Sequence, residues 1–170
     1  MKFLMRANKA VMLLVIGGAT YAIIEIIWRG YTHWTMAILG GFMFLLLGGL
    51  NEWFPWEMPL ALQSIIGALL VTASEFFTGL ILNRWLGLGI WDYSAIPGNI
   101  LGQICPQFVF AWMGLALVAI LVDDWLRYWL WAEPRPHYTF FKKGHHKMNI
   151  SYKSSENTDI YSSSDAPVQS

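Results

Sequence analysis

The sequence predicts an all-α, polytopic membrane protein: about four transmembrane helices, short loops and a disordered polar C-terminal tail. Three observations carry that reading. Apolar residues make up 56% of the 170-residue chain and charged residues only 13%, well below the share in a soluble domain. Four apolar stretches approach the roughly 20 residues that a helical crossing needs. Tryptophan, ten copies in all, gathers near the expected helix ends, where its amphipathic ring suits the headgroup region.

The first stretch covers residues 10–28 and ends at Trp28-Arg29-Gly30. It follows Lys2, Arg6 and Lys9, as the apolar part of a signal peptide would. No small-residue cleavage site closes it, and Glu25 and Trp28 stand near its end, so it reads as a retained first helix. The second stretch, 33–50, ends at Asn51, and its Gly40-Gly41 and Gly48-Gly49 pairs offer faces for close packing. The third, 59–82, opens with Pro59, which suits a first helical turn. The fourth, 99–122, ends at Asp123-Asp124.

Prolonged to residue 131, the fourth helix would be about 50 Å long, too long for a ~30 Å hydrocarbon core. Its crossing is therefore expected to stop near Asp123, with Trp125, Tyr128 and Trp129 at the interface or beyond it and Pro134 and Pro136 ending the helix. Trp53, Trp56, Trp85, Trp91, Trp125, Trp129 and Trp131 are expected to form an aromatic belt. This gives a transmembrane helical domain over 1–132 and a polar tail over 133–170. The tail is Ser-rich and is expected to be disordered and dispensable from 144 onward.

Formal net charge is zero, but its distribution selects an orientation. Lys2, Arg6, Lys9, Arg127, Arg135, Lys142, Lys143, Lys147 and Lys153 flank the crossings on the terminal side; only Arg29 and Arg84 lie opposite. The positive-inside rule then places both termini in the cytoplasm of a multi-pass inner-membrane protein. The loop at 51–58 falls on the same side and carries only Glu52 and Glu57, which weigh little in that rule.

Polar residues at membrane depth are the candidates for function, because each must find a partner inside the protein. Gly17, Tyr21, Glu25 and Trp28 or Arg29 align on one side of the first helix, and Glu25 can pair with Arg29 four residues on. Glu25 is either an interfacial carboxylate reaching water or a lining residue of a polar cavity. Glu75 sits well inside the third stretch, on a face with Gly67, Val71 and Gly79 that a neighbouring helix can approach. It is expected to face the bundle and to meet the segment 92–103. Asn99, Gln103 and Gln107, spaced by four, form a polar stripe on the fourth helix, and Pro106 leaves the Gly102 carbonyl free beside it. That stripe would line a path, bind a headgroup or act as interhelical glue. Asp92 caps the turn marked by Pro97-Gly98 or faces Glu75 or Arg84.

Other classes find no support. Cys105 is a single cysteine that permits no internal disulfide and reads as a small packed residue. His137, His145 and His146 lack the spacing of a metal site, so neither metal nor cofactor is expected. Leu-Gly-Leu-Gly-Ile at 86–90 has no lysine to cradle phosphate. No basic, aromatic patch suits nucleic acid.

Glu25, the Thr-Ala-Ser-Glu-Phe-Phe-Thr-Gly run at 72–79, and Trp91-Asp92-Tyr93-Ser94 with Asn99, Gly102 and Cys105 resemble one family. It is the bacterial membrane-protein family of putative ABC-transporter type IV, or CmpB-like, proteins, and the resemblance covers about residues 12–131. The chain departs from the pattern at Ile96-Pro97-Gly98-Asn99 and at Gln103-Ile104-Cys105-Pro106, and its first loop is short. The resemblance implies a permease component that works with a separate ATPase subunit, since the chain itself has no ATP-binding motif. The leading expectation is therefore a permease component with Glu25, Arg29, Glu75, Asp92, Asn99 and Gln103 around a polar intramembrane site. The alternative is a non-transporting scaffold or lipid-interacting helical module. An enzyme using Glu75 and Asp92 as an acid–base pair ranks last, for want of a nucleophile, and no enzymatic activity is expected. The expected partners are the lipid bilayer and the ATPase, with a homo-oligomer left open.

Overall fold

A computed structural model describes the backbone of residues 2–54 and 58–140, with side chains from Met5 onward. Helix α1 spans Lys2–Arg29 and α2 spans Trp34–Gly48. One non-helical residue, Gly49, separates α2 from the short α3, Leu50–Trp53. Helix α4, Leu60–Gly79, runs directly into a π-helical turn, Leu80–Trp85. Helix α5 spans Pro106–Trp131. No strand occurs among the described residues.

Four segments are long and apolar enough to cross a membrane: Met5–Arg29, Trp34–Trp53, Leu60–Trp85 and Pro106–Trp131. Their outer surfaces explain the composition. Val15, Ile23, Ile27, Leu69, Phe77, Phe110 and Val118 are all more than half exposed. A continuous apolar surface of that kind has hydrocarbon as its natural solvent. The chain is a multi-pass membrane protein.

Helix α1 packs on α2, α4 packs on α5, and α2 against α5 joins the two pairs. Glycine sets the closeness of the first pair. A methyl group at Gly18 would stand 2.5 Å from the Ala37 carbonyl oxygen, and one at Gly41 would strike the carbonyl oxygen of Leu14. Gly17 receives the ring of Phe44, and Gly40 that of Tyr21. The small residues on each helix thus accept the bulk of the other, which is the usual way that dispersion attraction holds helices together in lipid. In the second pair, Gly67 admits Leu47 and Ala116. Leu47, Leu50, Leu60, Ala116 and Ile120 form the buried core there.

The helix limits differ from the expected ones at two places. The third crossing continues to Trp85, because the wide π turn prolongs it beyond residue 82. The fourth helix begins at Pro106, not at 99. Leu101 (φ 53°) and Gly102 (φ 71°) are left-handed and cannot belong to a right-handed helix, whereas Pro106 fits its first turn. As expected from Pro134 and Pro136, the same helix runs past Asp123; it ends at Trp131, where Ala132 adopts φ 53°. Its 26 residues extend about 39 Å, so its last turns reach beyond the hydrocarbon core.

Trp28, Trp34, Trp53, Trp85 and Trp129 are strongly exposed near helix ends, as an interfacial belt requires. Trp91 was expected among them but is buried in the loop that follows α4. Trp56 lies outside the described residues, as do Glu57, His145, His146 and the tail from 144 onward. Residues 132–140 return to the bundle. The Leu60 amide donates to the Thr139 carbonyl at 2.8 Å, meeting an open donor at the start of α4.

Gly41→Leu is expected to destabilise the detergent-extracted protein by about 1–3 kcal/mol through overpacking of α1 on α2. Gly114 has open space around its Cα, so Gly114→Ala is expected to be neutral or to add up to about 1 kcal/mol. Thermal unfolding of the two variants side by side measures both effects.

Candidate functional site

The polar residues of the bundle gather at its two ends. At the end away from the termini, the organising element is the loop 86–105. Gly87, Gly89, Gly98 and Gly102 take positive φ along it. Asp92 and Ser94 close a tight turn: Asp92 Oδ1 accepts from the Ser94 amide at 2.8 Å and from its hydroxyl at 2.5 Å. Those hydrogen bonds hold the exposed Asp92 carboxyl below its ordinary pKa. Asn99 donates to the Ser94 and Ile96 carbonyls at 3.1 and 2.8 Å and accepts from the Gly102 amide at 2.9 Å. A side chain on Gly102 would collide with Ser94 Oγ and Asp92 Oδ1, and φ there is 71°, so glycine is required twice over.

This loop positions two polar knots in the bundle. The π turn brings Asn83 inward. Asn83 Nδ2 donates to the Trp91 carbonyl at 3.0 Å and to Gln103 Oε1 at 2.9 Å, while its Oδ1 accepts from the Ile90 amide at 2.7 Å. Gln103 Nε2 donates to the Leu101 carbonyl, and the Trp91 indole donates to the Gln103 carbonyl, both at 3.0 Å. Gly79 leaves the room that Gln103 and Trp91 occupy.

The second knot surrounds Glu75. Tyr93 Oη donates to Oε1 at 3.0 Å and Trp112 Nε1 to Oε2 at 2.8 Å. Phe108 stacks on Tyr93 with ring centroids 4.6 Å apart, and on its other side meets Trp112 at 6.2 Å. The buried carboxyl therefore has a donor for each oxygen inside an aromatic enclosure. It faces an elongated, almost wholly apolar cavity of about 140 Å³ among α1, α2, α4 and α5.

A third knot ties the first loop. Arg29 Nη2 pairs with Glu25 Oε1 at 2.8 Å, Nη1 donates to the Ile90 carbonyl at 2.9 Å, and the Thr32 hydroxyl donates to Glu25 Oε2. Arg29 thus joins the loop after α1 to the loop after α4.

The structure brings together only part of the expected site. Glu25 pairs with Arg29. Glu75 meets the segment 92–103, but through Tyr93 and not through Asn99 or Gln103. Gln103 bonds Asn83. Asp92 and Asn99 shape the loop on its solvent side and stand apart from Glu75. The expected stripe of Asn99, Gln103 and Gln107 is absent because no helix spans 99–105. The Gly102 carbonyl is not free either, since it accepts from the Tyr93 amide at 2.8 Å. Sequence reading missed Asn83, Tyr93 and Trp112 as partners. Trp112 had a signal: an indole N–H deep in an apolar helix needs an acceptor.

The terminal end carries a network that the sequence reading also missed. Arg127 bonds Asp123 four residues before it and reaches Glu52 on α3. Lys9 of α1 pairs with Glu133 and lies 3.9 Å from Glu52. Asn51 and Tyr138 donate to Asp124 Oδ2 at 2.5 and 2.9 Å. Burial, and then the Asp124 charge, raise the Tyr138 hydroxyl above its ordinary pKa. Gly48 gives Asp123 its space. The spacing of Asp123 and Arg127 was the available signal. Among the described residues, no three His, Cys, Asp or Glu side chains converge as metal ligands do.

Four apolar crossings with polar knots at both ends define a small polytopic membrane protein. The chain belongs to the family described as "Putative ABC-transporter type IV", whose sequence model matches residues 14–140. No curated protein and no solved structure matches it.

Removing the Trp112 donor by Trp112→Phe should cost about 1–3 kcal/mol by stranding one oxygen of Glu75. In a Glu75→Met background the same change should cost at least about 1 kcal/mol less. A double-mutant cycle by denaturant unfolding checks this, and zero coupling would refute the pairing. At the other end, Arg127→Met should cost about 3–5 kcal/mol by leaving the fully buried Asp123 uncompensated. Adding Asp123→Asn should recover part of that loss in the same assay.

Proposed function

We propose that the chain is a permease component of an ABC-type transporter in the bacterial inner membrane, with both termini cytoplasmic. A separate ATPase subunit supplies the energy, and the chain itself performs no catalysis. Family membership supports the class. The observation that carries the reading is Glu75, a buried carboxylate at the head of a cavity inside the bundle. Ionisable groups are kept at such depth at a cost, and they mark pathways more often than packing. In this reading Glu25, Arg29, Glu75 and Gln103 define the polar end of the path. Asp92 and Asn99 hold the loop that closes it.

One observation favours the alternative of a non-transporting scaffold or lipid-interacting module. Both oxygens of Glu75 and the amide of Gln103 are already satisfied by the chain's own groups. Residues used in this way hold helices together.

Affinity purification in mild detergent separates the two. A permease component should bring down an ATP-binding-cassette ATPase in near-stoichiometric amount, and the recovered complex should hydrolyse ATP. Repeated recovery of a well-folded chain without any ATPase would overturn the transport reading in favour of the scaffold.

A further inference from the structure

Both α1 and α5 pack on α2, but neither packs closely on the other. Their separation leaves the cavity described above open along one side. α2 forms its floor with Met43 and Phe44, Val71 of α4 contributes to its wall, and Glu75 and Trp112 close one end. Thr20 on α1 and Val118 and Val122 on α5 line it and are also exposed on the outer surface of the bundle. The mouth therefore lies between α1 and α5, and it opens sideways within the membrane-spanning region.

Three properties decide what fits. Among the described lining residues Glu75 is the only carboxylate or base, each of its oxygens already accepts a hydrogen bond, and nearly all the rest of the lining is apolar, so the interior favours an apolar occupant. An apolar cavity of about this volume stays dry and accepts a small hydrocarbon. Its volume of about 140 Å³ is too small for a helix from another protein, which is about 10 Å across with its side chains. We propose that this crevice binds one acyl chain of a membrane phospholipid, which enters laterally between α1 and α5. A chain lying there touches all four long helices, whereas a lipid on the convex surface touches one or two. Contact on several sides is what separates a bound lipid from the surrounding ones. An unfilled void of this kind would weaken the bundle, so the occupant also supports the fold. This inference holds for a permease and for a lipid-interacting module alike.

The test uses the full chain reconstituted in phosphatidylcholine vesicles containing a phosphatidylcholine with a diazirine midway along one acyl chain. After irradiation, labelled positions are mapped by mass spectrometry. Labelling should concentrate on residues 39–47 and 115–122. It should fall by about an order of magnitude in Ala119→Phe, which fills the crevice, and in Thr20→Phe, which blocks its rim. Val15→Phe, at an exposed position outside the crevice, should leave the pattern unchanged. Thr20 lies at the surface, so its variant decides the matter even where Ala119→Phe fails to fold. Label spread evenly over all exposed faces, or unchanged in a folded Thr20→Phe variant, would overturn the proposal. So would protein–protein cross-linking through this face, which would make a second copy the occupant. Absence of an ATPase in the purification would leave this labelling pattern untouched, so the two tests fail separately.

Discussion

Polar side chains carried toward the hydrocarbon need partners from the same chain, because lipid offers none, and among the described residues few buried polar atoms, Thr72 Oγ1 among them, go without. That requirement orders this structure more than any single contact does. It explains why Asn83 serves three groups at once, why Glu75 has an aromatic donor for each oxygen, and why Arg29 spans two loops. The loop at 86–105 exists in its particular shape to deliver those partners. Asp92, Ser94, Asn99 and Gly102 fold it onto itself, and the product is a rigid platform that holds Tyr93 and Trp91 at the edge of the bundle. The polar ends and the apolar middle are thus two answers to one solvent.

Close approach of the helices makes the partnerships possible. Gly17, Gly18, Gly40 and Gly41 draw α1 onto α2, and Gly67 draws α4 toward α2 and α5. Gly48 and Gly79 act differently, since each gives space to a polar side chain, Asp123 in one case and Gln103 in the other. A glycine beside a buried polar group is part of that group's solvation. Where the helices do not approach, between α1 and α5, the bundle keeps its cavity. At the Glu75 end the rings of Tyr21 on α1 and Trp112 on α5 do meet, with centroids 6.4 Å apart, so the gap between the two helices is closed there.

The four crossings and the grouping of both termini at one end were legible in the sequence, because apolar length is a strong signal in a chain so poor in charge. The inward face of Glu75 was legible too, from Gly67 and Gly79, two turns before it and one turn after it. The start of α5 was not. Pro106 marks a helix start as Pro59 does, but the apolar Ile100, Leu101 and Ile104 let the helix be carried back to 99; the left-handed backbone at Leu101 and Gly102 excludes those residues. Position 101 is leucine, so nothing in its residue type announced that conformation. The end of α5 was legible, since Pro134 and Pro136 stop a helix that runs on past Asp123. What was not legible is that Asp123-Asp124 is an interior pair, because Arg127, Asn51 and Tyr138 meet it and two of the three lie well away in the sequence.

The return of residues 132–140 has a consequence for the order of assembly. Thr139 completes the first turn of α4, Tyr138 bonds Asp124, and Glu133 holds Lys9 of the first helix. Lys9 and Glu133 are 124 residues apart, so their pairing closes a loop around nearly all of the described fold. Glu133 and Thr139 follow all four crossings in the chain, so these bonds form only once every crossing and the segment 132–140 have been made. Matching of the polar groups at that end is thereby a late step of assembly, however fast each helix forms.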